Sequence, residues 1–88
     1  IYGLSAALYG EITIKDGAVA ESNFHDYSSV RMSKAPAIET YIINSGEVMG
    51  GAGEPGTPPI APALANAIFN ATGERIRQLP IKNSALKV

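Results

Sequence analysis

The chain contains no cysteine and no tryptophan, and His25 is its only histidine. Without cysteine the chain can form neither a disulfide framework nor a thiolate metal site, and it gives no indication of a redox compartment. A single histidine excludes a histidine-based zinc site built by this chain alone. We therefore expect no metal site made from the chain's own side chains.

Charge is also scarce. Seven Lys and Arg residues and eight Asp and Glu residues give a net charge of −1. They are scattered along the chain, so no basic stripe predicts a nucleic-acid partner. No apolar run approaches the ~18 residues that a membrane-spanning helix requires. Because 45% of the residues are hydrophobic, the composition also differs from that of disordered proteins.

The length of 88 residues leaves room for one small domain at most. The chain opens at Ile1, inside an apolar run, and shows no signal region, internal repeat or domain boundary. We therefore expect a fragment of a longer protein, in which part of any active site lies elsewhere.

The first quarter of the chain predicts a helix followed by a hairpin. Residues 1–9 place apolar side chains at helical spacing, and Gly10 follows in a C-cap position. Residues 11–15 alternate polar and apolar side chains, as a half-exposed strand does. The dipeptide at 16–17, Asp-Gly, favours a type I′ turn, and residues 18–24 then form the returning strand.

The middle of the chain predicts a surface loop at residues 25–36 and a further strand at 37–44. β-Branched and aromatic residues favour that strand. Period-2 alternation places Glu39 and Tyr41 on one face and Ile38, Thr40 and Ile42 on the other.

An alanine-rich helix is predicted after a glycine- and proline-rich loop at residues 50–59. Thr57 is a suitable N-cap, Pro58 a suitable first helical residue, and Gly73 a suitable end. The predicted apolar stripe of this helix is Ile60, Leu64, Ile68 and Ala71. Residues 74–88 hold one short apolar alternation and a polar tail. Together these elements predict an α+β fragment.

Residues 51–56 match the G-x-G-x-x-G pattern of dinucleotide-binding loops, with Glu74 about 20 residues further on. Such a site needs free backbone N–H groups at a helix N-terminus, and the prolines at 55, 58 and 59 supply none. Glu54 would also place a negative charge against the phosphates. The dinucleotide interpretation is therefore rejected.

Glu54 is the one side chain of this loop that can exchange a proton. Two interpretations stay open from the residues alone. It is either a solvated loop carboxylate or a general base held by its rigid neighbours and ionised beside the helix predicted from Thr57.

Other polar groups favour structural roles. The sequence His-Asp-Tyr at 25–27 resembles a proton relay, but neighbouring residues of an extended chain point in different directions, so a polar loop with a buried tyrosine ring is favoured. Ser28 and Ser29 lack a G-x-S-x-G context. Arg31 and Arg75 are expected to be solvated or salt-bridged.

Several segments together resemble the C-terminal end of the large subunit of the molybdenum hydroxylases, the xanthine dehydrogenase and aldehyde oxidase family. The likeness is strongest to enzymes of the isoquinoline 1-oxidoreductase type. The segments are residues 2–9, 23–27, 51–59, 60–69 and 72–80. The Gly-Glu-Pro loop followed by the Ala/Asn-rich helix is the most specific part.

The resemblance implies that Glu54 is the catalytic base and that the backbone of Gly51 and Gly53 lies close to a molybdopterin cofactor, in its cytosine dinucleotide form. It implies oxidation of aldehydes or N-heteroaromatic compounds, with electrons leaving through an iron–sulfur partner subunit. It further implies that residues 1–88 are one C-terminal piece of the molybdopterin-binding subunit. The compartment stays open between bacterial cytoplasm and periplasm.

Most of the cofactor-binding segments of such a subunit lie outside these 88 residues. We therefore expect the isolated chain to be inactive, to bind no cofactor, and to self-associate through apolar surface that normally packs on the rest of the subunit. The alternative is a non-catalytic α+β interaction module with a rigid Gly/Pro turn.

Overall fold

The computed structural model describes residues 1–83 and begins with helix α1, Tyr2–Tyr9. Leu4 and Ala7, which share one face at i, i+3, are its buried residues. Gly10 ends the helix, and its N–H donates to the carbonyl oxygen of Ala6 at 3.0 Å. A Cβ at Gly10 would lie 2.9 Å from the Ala6 backbone. The predicted helix and its glycine stop are confirmed.

A two-stranded antiparallel hairpin follows, with β1 at Ile14–Lys15 and β2 at Ala18–Val19. Asp16 and Gly17 have φ of 52° and 79°, and two positive φ values are what a type I′ turn requires. The predicted hairpin is confirmed, although both strands are shorter than the sequence pattern indicated and all four of their residues are exposed.

The prediction of a strand at residues 37–44 is wrong for the described residues, since this segment pairs with no other strand there. The segment is extended, but no neighbouring strand lies beside it within residues 1–83. A short 3-10 helix at Met32–Lys34 precedes it. The reason is that β-branched residues favour an extended backbone locally, whereas a strand also needs a partner with which to share hydrogen bonds.

Helix α2 spans Ile60–Thr72, so it begins two residues later than predicted, and Pro59 occupies the N-cap instead of Thr57. A proline disfavours helical backbone in the residue before it. Thr57 and Pro58 each precede a proline, and the helix therefore begins only after the second one. At the other end Gly73 adopts the left-handed conformation, φ 76°, as predicted.

The two helices contact each other, and α1 also contacts a second 3-10 helix at Ile81–Asn83. The buried residues of the described chain are Leu4, Ala7, Pro80 and Ile81. An ion pair of 3.1 Å between Lys82 and Glu11 joins the second 3-10 helix to the residues that follow α1. The polar tail predicted after Ile81 extends into residues 84–88, outside the described residues.

The α+β class is confirmed, but this small core does not make the chain compact. The radius of gyration is 16.3 Å, whereas a compact domain of this length would have about 12 Å. The chain therefore leaves much of its apolar surface uncovered. Within the described range, neither helix is long and apolar enough to cross a membrane.

Candidate active site

The loop at residues 50–59 connects the extended middle of the chain to α2, and each of its ten residues is exposed. A turn closes within it, because the backbone N–H of Thr57 donates to the carbonyl oxygen of Glu54 at 2.9 Å. Pro55 occupies the second position of that turn, where its fixed φ is favourable. The turn gives Glu54 a defined backbone position immediately before α2.

The predicted site residues Gly51, Gly53 and Glu54 come together along one open depression of about 500 Å³. Pro55 and Pro58 complete its lining. The Glu54 carboxylate faces solvent, and no hydrogen bond or ion pair holds it within residues 1–83. The structure thus presents one free carboxylate beside exposed glycine backbone.

The described part of the chain gives no reason of its own for glycine at positions 50, 51, 53 and 56. None of the four has a positive φ. A Cβ at any of them would meet nothing within 4 Å. A glycine that neither the backbone conformation nor the neighbouring atoms require fits close approach by a molecule from outside the chain.

The donor set is compatible with a metal that is carried by a cofactor. No group of three or more His, Cys, Asp or Glu residues that could hold a metal lies within residues 1–83. A metal that is carried by a pterin needs no such protein ligands. The exposed glycine backbone and the single carboxylate of the loop are compatible with a bound group of this kind.

The helix dipole gives Glu54 less support than the sequence suggested. Because α2 begins at Ile60, Glu54 lies six positions before the first helical residue. The stabilising effect of a helix N-terminus on an anion is confined to about the first turn. The turn at residues 54–57 fixes the backbone of Glu54, and the helix begins too far along the chain to stabilise its carboxylate.

His25 Nε2 lies 3.5 Å from a carboxylate oxygen of Asp26, but within residues 1–83 no hydrogen bond joins the Tyr27 side chain to either residue, so the three do not form a continuous relay. The Asp26 carboxylate accepts hydrogen bonds from the backbone N–H groups of Ser22 and Asn23, at 2.8 and 2.9 Å, and from the Ser22 hydroxyl at 3.0 Å. The bonds from Asn23 and then Ser22 lower the pKa of Asp26 to about 2. Asp26 therefore stabilises a turn, and Tyr27, 38% exposed, is less buried than expected.

Two side-chain contacts lie outside the loop, that of Arg75 with Phe69 and that of Tyr41 with Glu39, and the sequence indicated only the second. Arg75 is exposed, as expected of a solvated residue, and its guanidinium carbon also lies 3.3 Å from the centroid of the Phe69 ring, a contact that the sequence did not indicate. The left-handed Gly73 turns the chain back over the last turn of α2, and residues after such a cap commonly contact side chains of that last turn. Tyr41 donates to Glu39 at 2.6 Å, as their shared face indicated, and this bond raises the pKa of Tyr41.

Comparison with known proteins identifies three informative relatives. The chain is 39% identical over 82 residues to isoquinoline 1-oxidoreductase subunit beta of Brevundimonas diminuta. The matched region is 93% of this chain and 10% of the relative. It is 37% identical to a membrane-bound aldehyde dehydrogenase of Gluconacetobacter polyoxogenes, whose name specifies pyrroloquinoline quinone. It is 34% identical over 86 residues to a putative xanthine dehydrogenase molybdenum-binding subunit of Escherichia coli, covering 90% of this chain and 11% of the relative.

The chain thus spans about a tenth of the length of these relatives. No family model and no solved structure matches it.

Proposed function

Because this chain is homologous over nearly its whole length to large subunits of the molybdenum hydroxylase family, we propose that it is the C-terminal part of such a subunit and supplies its catalytic base, Glu54. One observation supports the assignment above all. The Glu54 carboxylate has no partner within residues 1–83 and lies on a depression lined by Gly51 and Gly53.

The proposed reaction is the oxidative hydroxylation of an aldehyde or an N-heteroaromatic compound. The molybdopterin cofactor, in its cytosine dinucleotide form, supplies the two-electron redox chemistry when bound. Glu54 accepts at a carboxylate oxygen the proton of the nucleophile that attacks the electron-poor substrate carbon. Gly51 and Gly53 allow the cofactor to approach the backbone of the loop.

The partners follow from the same proposal. The remainder of the large subunit holds most of the cofactor, and an iron–sulfur subunit accepts the electrons. A chain that contributes one carboxylate and one wall of the site has no turnover by itself, so we expect the isolated 88 residues to be inactive.

The test is Glu54→Gln in the complete large subunit, assembled with its partner. Glutamine keeps the size of the side chain but cannot accept the proton, so kcat should fall by about 10²–10⁴-fold, the usual contribution of a general base. Molybdenum content, measured by mass spectrometry, should be unchanged. Glu47→Gln changes another exposed carboxylate of the same region and should leave turnover intact.

Retention of more than about a tenth of the turnover by the Glu54→Gln subunit would disprove the base assignment. Metal analysis separately tests the cofactor, since one relative is named for pyrroloquinoline quinone. A subunit that is active, contains this quinone and lacks molybdenum would reject the molybdenum proposal.

A further inference from the structure

The most prominent unpartnered feature of the described chain is the extended segment at residues 37–44. None of the backbone N–H groups of residues 37–43 donates a hydrogen bond to another described residue. Its large apolar side chains are all exposed, from 67% at Ile38 to 92% at Ile42. An extended chain with unpaired donors and acceptors is a ready partner for a sheet edge.

We propose that residues 37–44 become a β-strand by pairing with a sheet that the remainder of the large subunit supplies. The inference rests on the proposed placement of the chain within that subunit. It assigns an interaction surface that is separate from the Glu54 depression.

The alternation along the segment indicates what kind of sheet receives it. Ile38 and Ile42 point to one side of an extended chain, and Tyr41 and Ile43 to the other. Strands that are apolar on both sides occur in sheets covered on both faces. The receiving sheet is therefore covered on both faces where Ile42 and Ile43 lie. Glu39, whose carboxylate accepts a hydrogen bond from Tyr41, lies nearer a polar rim.

The ends of the segment agree with a strand. Pro36 precedes it, and a proline is tolerated where a strand begins. At the other end Gly46 has a φ of 75°, and its N–H donates to the side chain of Asn44 at 3.3 Å. The chain therefore turns directly after residue 44, as it does at the end of a strand.

A second copy of this chain fits the segment less well than the rest of the subunit does. Two strands paired between copies would leave both apolar faces uncovered, and an isolated pair of strands has marginal stability. The relatives are about ten times longer than the matched region, so ample protein exists to provide both the sheet and its covering layers.

The proposed strand also has a consequence for the site. Only five residues separate Asn44 from the loop that begins at Gly50. A strand held in a sheet would fix the entry to the loop, as α2 fixes its exit, so that Glu54 is anchored from both sides.

Amide hydrogen exchange in the complete large subunit tests the proposal. In preparations whose α2 amides are protected, the amides of residues 38–43 should exchange at least about a hundred times more slowly than in an unstructured chain. Protection of alternate residues would indicate an edge strand, and protection of all of them an inner strand. The protection should not change on tenfold dilution.

Unprotected amides at residues 38–43, or protection that dilution removes, would overturn the proposal; the second result would show pairing between copies. As a further measurement, Ile42→Asp should accelerate exchange in this segment at least tenfold. Met32→Asp, which changes an apolar residue of the same 92% exposure, should not.

The exchange measurement needs neither molybdenum nor turnover, so it separates this inference from the proposed function. Loss of turnover in Glu54→Gln with unprotected amides would reject only the strand. Protected amides with full turnover in Glu54→Gln would reject only the base.

Discussion

The side chain of Ile60 occupies the space that a Cβ at Gly3 would need, since its Cγ2 atom lies 2.5 Å from that position. The carbonyl oxygen of Thr57 is 3.2 Å from the same point. Helix α1 and the start of α2 therefore meet through a glycine. Because Thr57 also closes the turn at Glu54, this contact holds one end of the candidate catalytic loop against α1.

Gly3→Ala should consequently destabilise the chain by about 1–2 kcal/mol, the usual cost of overpacking. The loss should occur even though alanine raises helix propensity by about 1 kcal/mol. Urea denaturation followed by the helical circular dichroism signal measures it. Adding Gly3→Ala to an Ile60→Ala chain should cost less stability than adding it to the unaltered chain, because the Ile60 Cγ2 atom that blocks the new Cβ is gone. A gain in stability from Gly3→Ala alone would contradict the close contact.

The sequence predicted best the elements whose cause is local. An Asp-Gly pair at 16–17 requires only its own φ values to make a hairpin turn, and Gly73 requires only its own left-handed conformation to end α2. The late start of α2 also has a local cause, the two successive prolines, whose effect exceeds the N-cap preference of Thr57. Residues 37–44 could not be predicted as paired or unpaired, because a strand depends on a partner distant in sequence or in another part of the protein.

The candidate site shows the same division. Glu54 was identified from its position between glycines and prolines, which local chemistry explains. The depression beside it is lined by residues 51–58 alone and depends on the path of the loop, whereas the stacking of Arg75 on Phe69 depends on how the chain returns after Gly73. Residue spacing alone indicates neither. Within residues 1–83 neither the backbone conformation nor a neighbouring atom requires glycine at 51 and 53, and this is a structural observation that no motif provides.

The hydrogen-bonded turn around Asp26 should lose stability in acid. The pKa of this carboxyl is lowered from 3.8 to about 2 by bonds from Asn23 and Ser22. A lowered pKa means that the ionised form stabilises the fold, fully above pH 3.8, and that the contribution is lost as the pH falls through about 2. Carbon NMR of the Asp26 carboxyl gives its titration directly. In Asp26→Asn the acid-dependent change in the Ser22 and Asn23 amide shifts should disappear, and a midpoint near 3.8 in the unaltered chain would contradict the turn.

Gly53→Ala should separate the needs of this chain from those of the cofactor. Because Gly53 lacks a positive φ and a Cβ there meets no atom, the substitution should change the chain's own stability by less than about 0.5 kcal/mol. In the complete subunit it should lower molybdenum content, since the Cβ would stand between the cofactor and the loop. Gly17→Ala is the matched control: space is equally open there, but its φ of 79° should make alanine cost about 1 kcal/mol in the chain itself. Full molybdenum content in Gly53→Ala would remove Gly53 from the proposed cofactor contact.

The isolated chain should self-associate, because its described core is small and its exposed apolar residues are many. Ile42 and Ile43 lie in the unpaired extended segment, and charges inserted into a free strand edge discourage pairing between chains. Light scattering should therefore give a mass above that of one chain at high concentration, and a lower one for Ile42→Asp/Ile43→Asp. Met32→Asp, also at an exposed apolar position, should associate as the unaltered chain does. A compact monomer of the unaltered chain, with a radius of gyration near about 12 Å, would contradict both the association and the extended shape from which it is predicted.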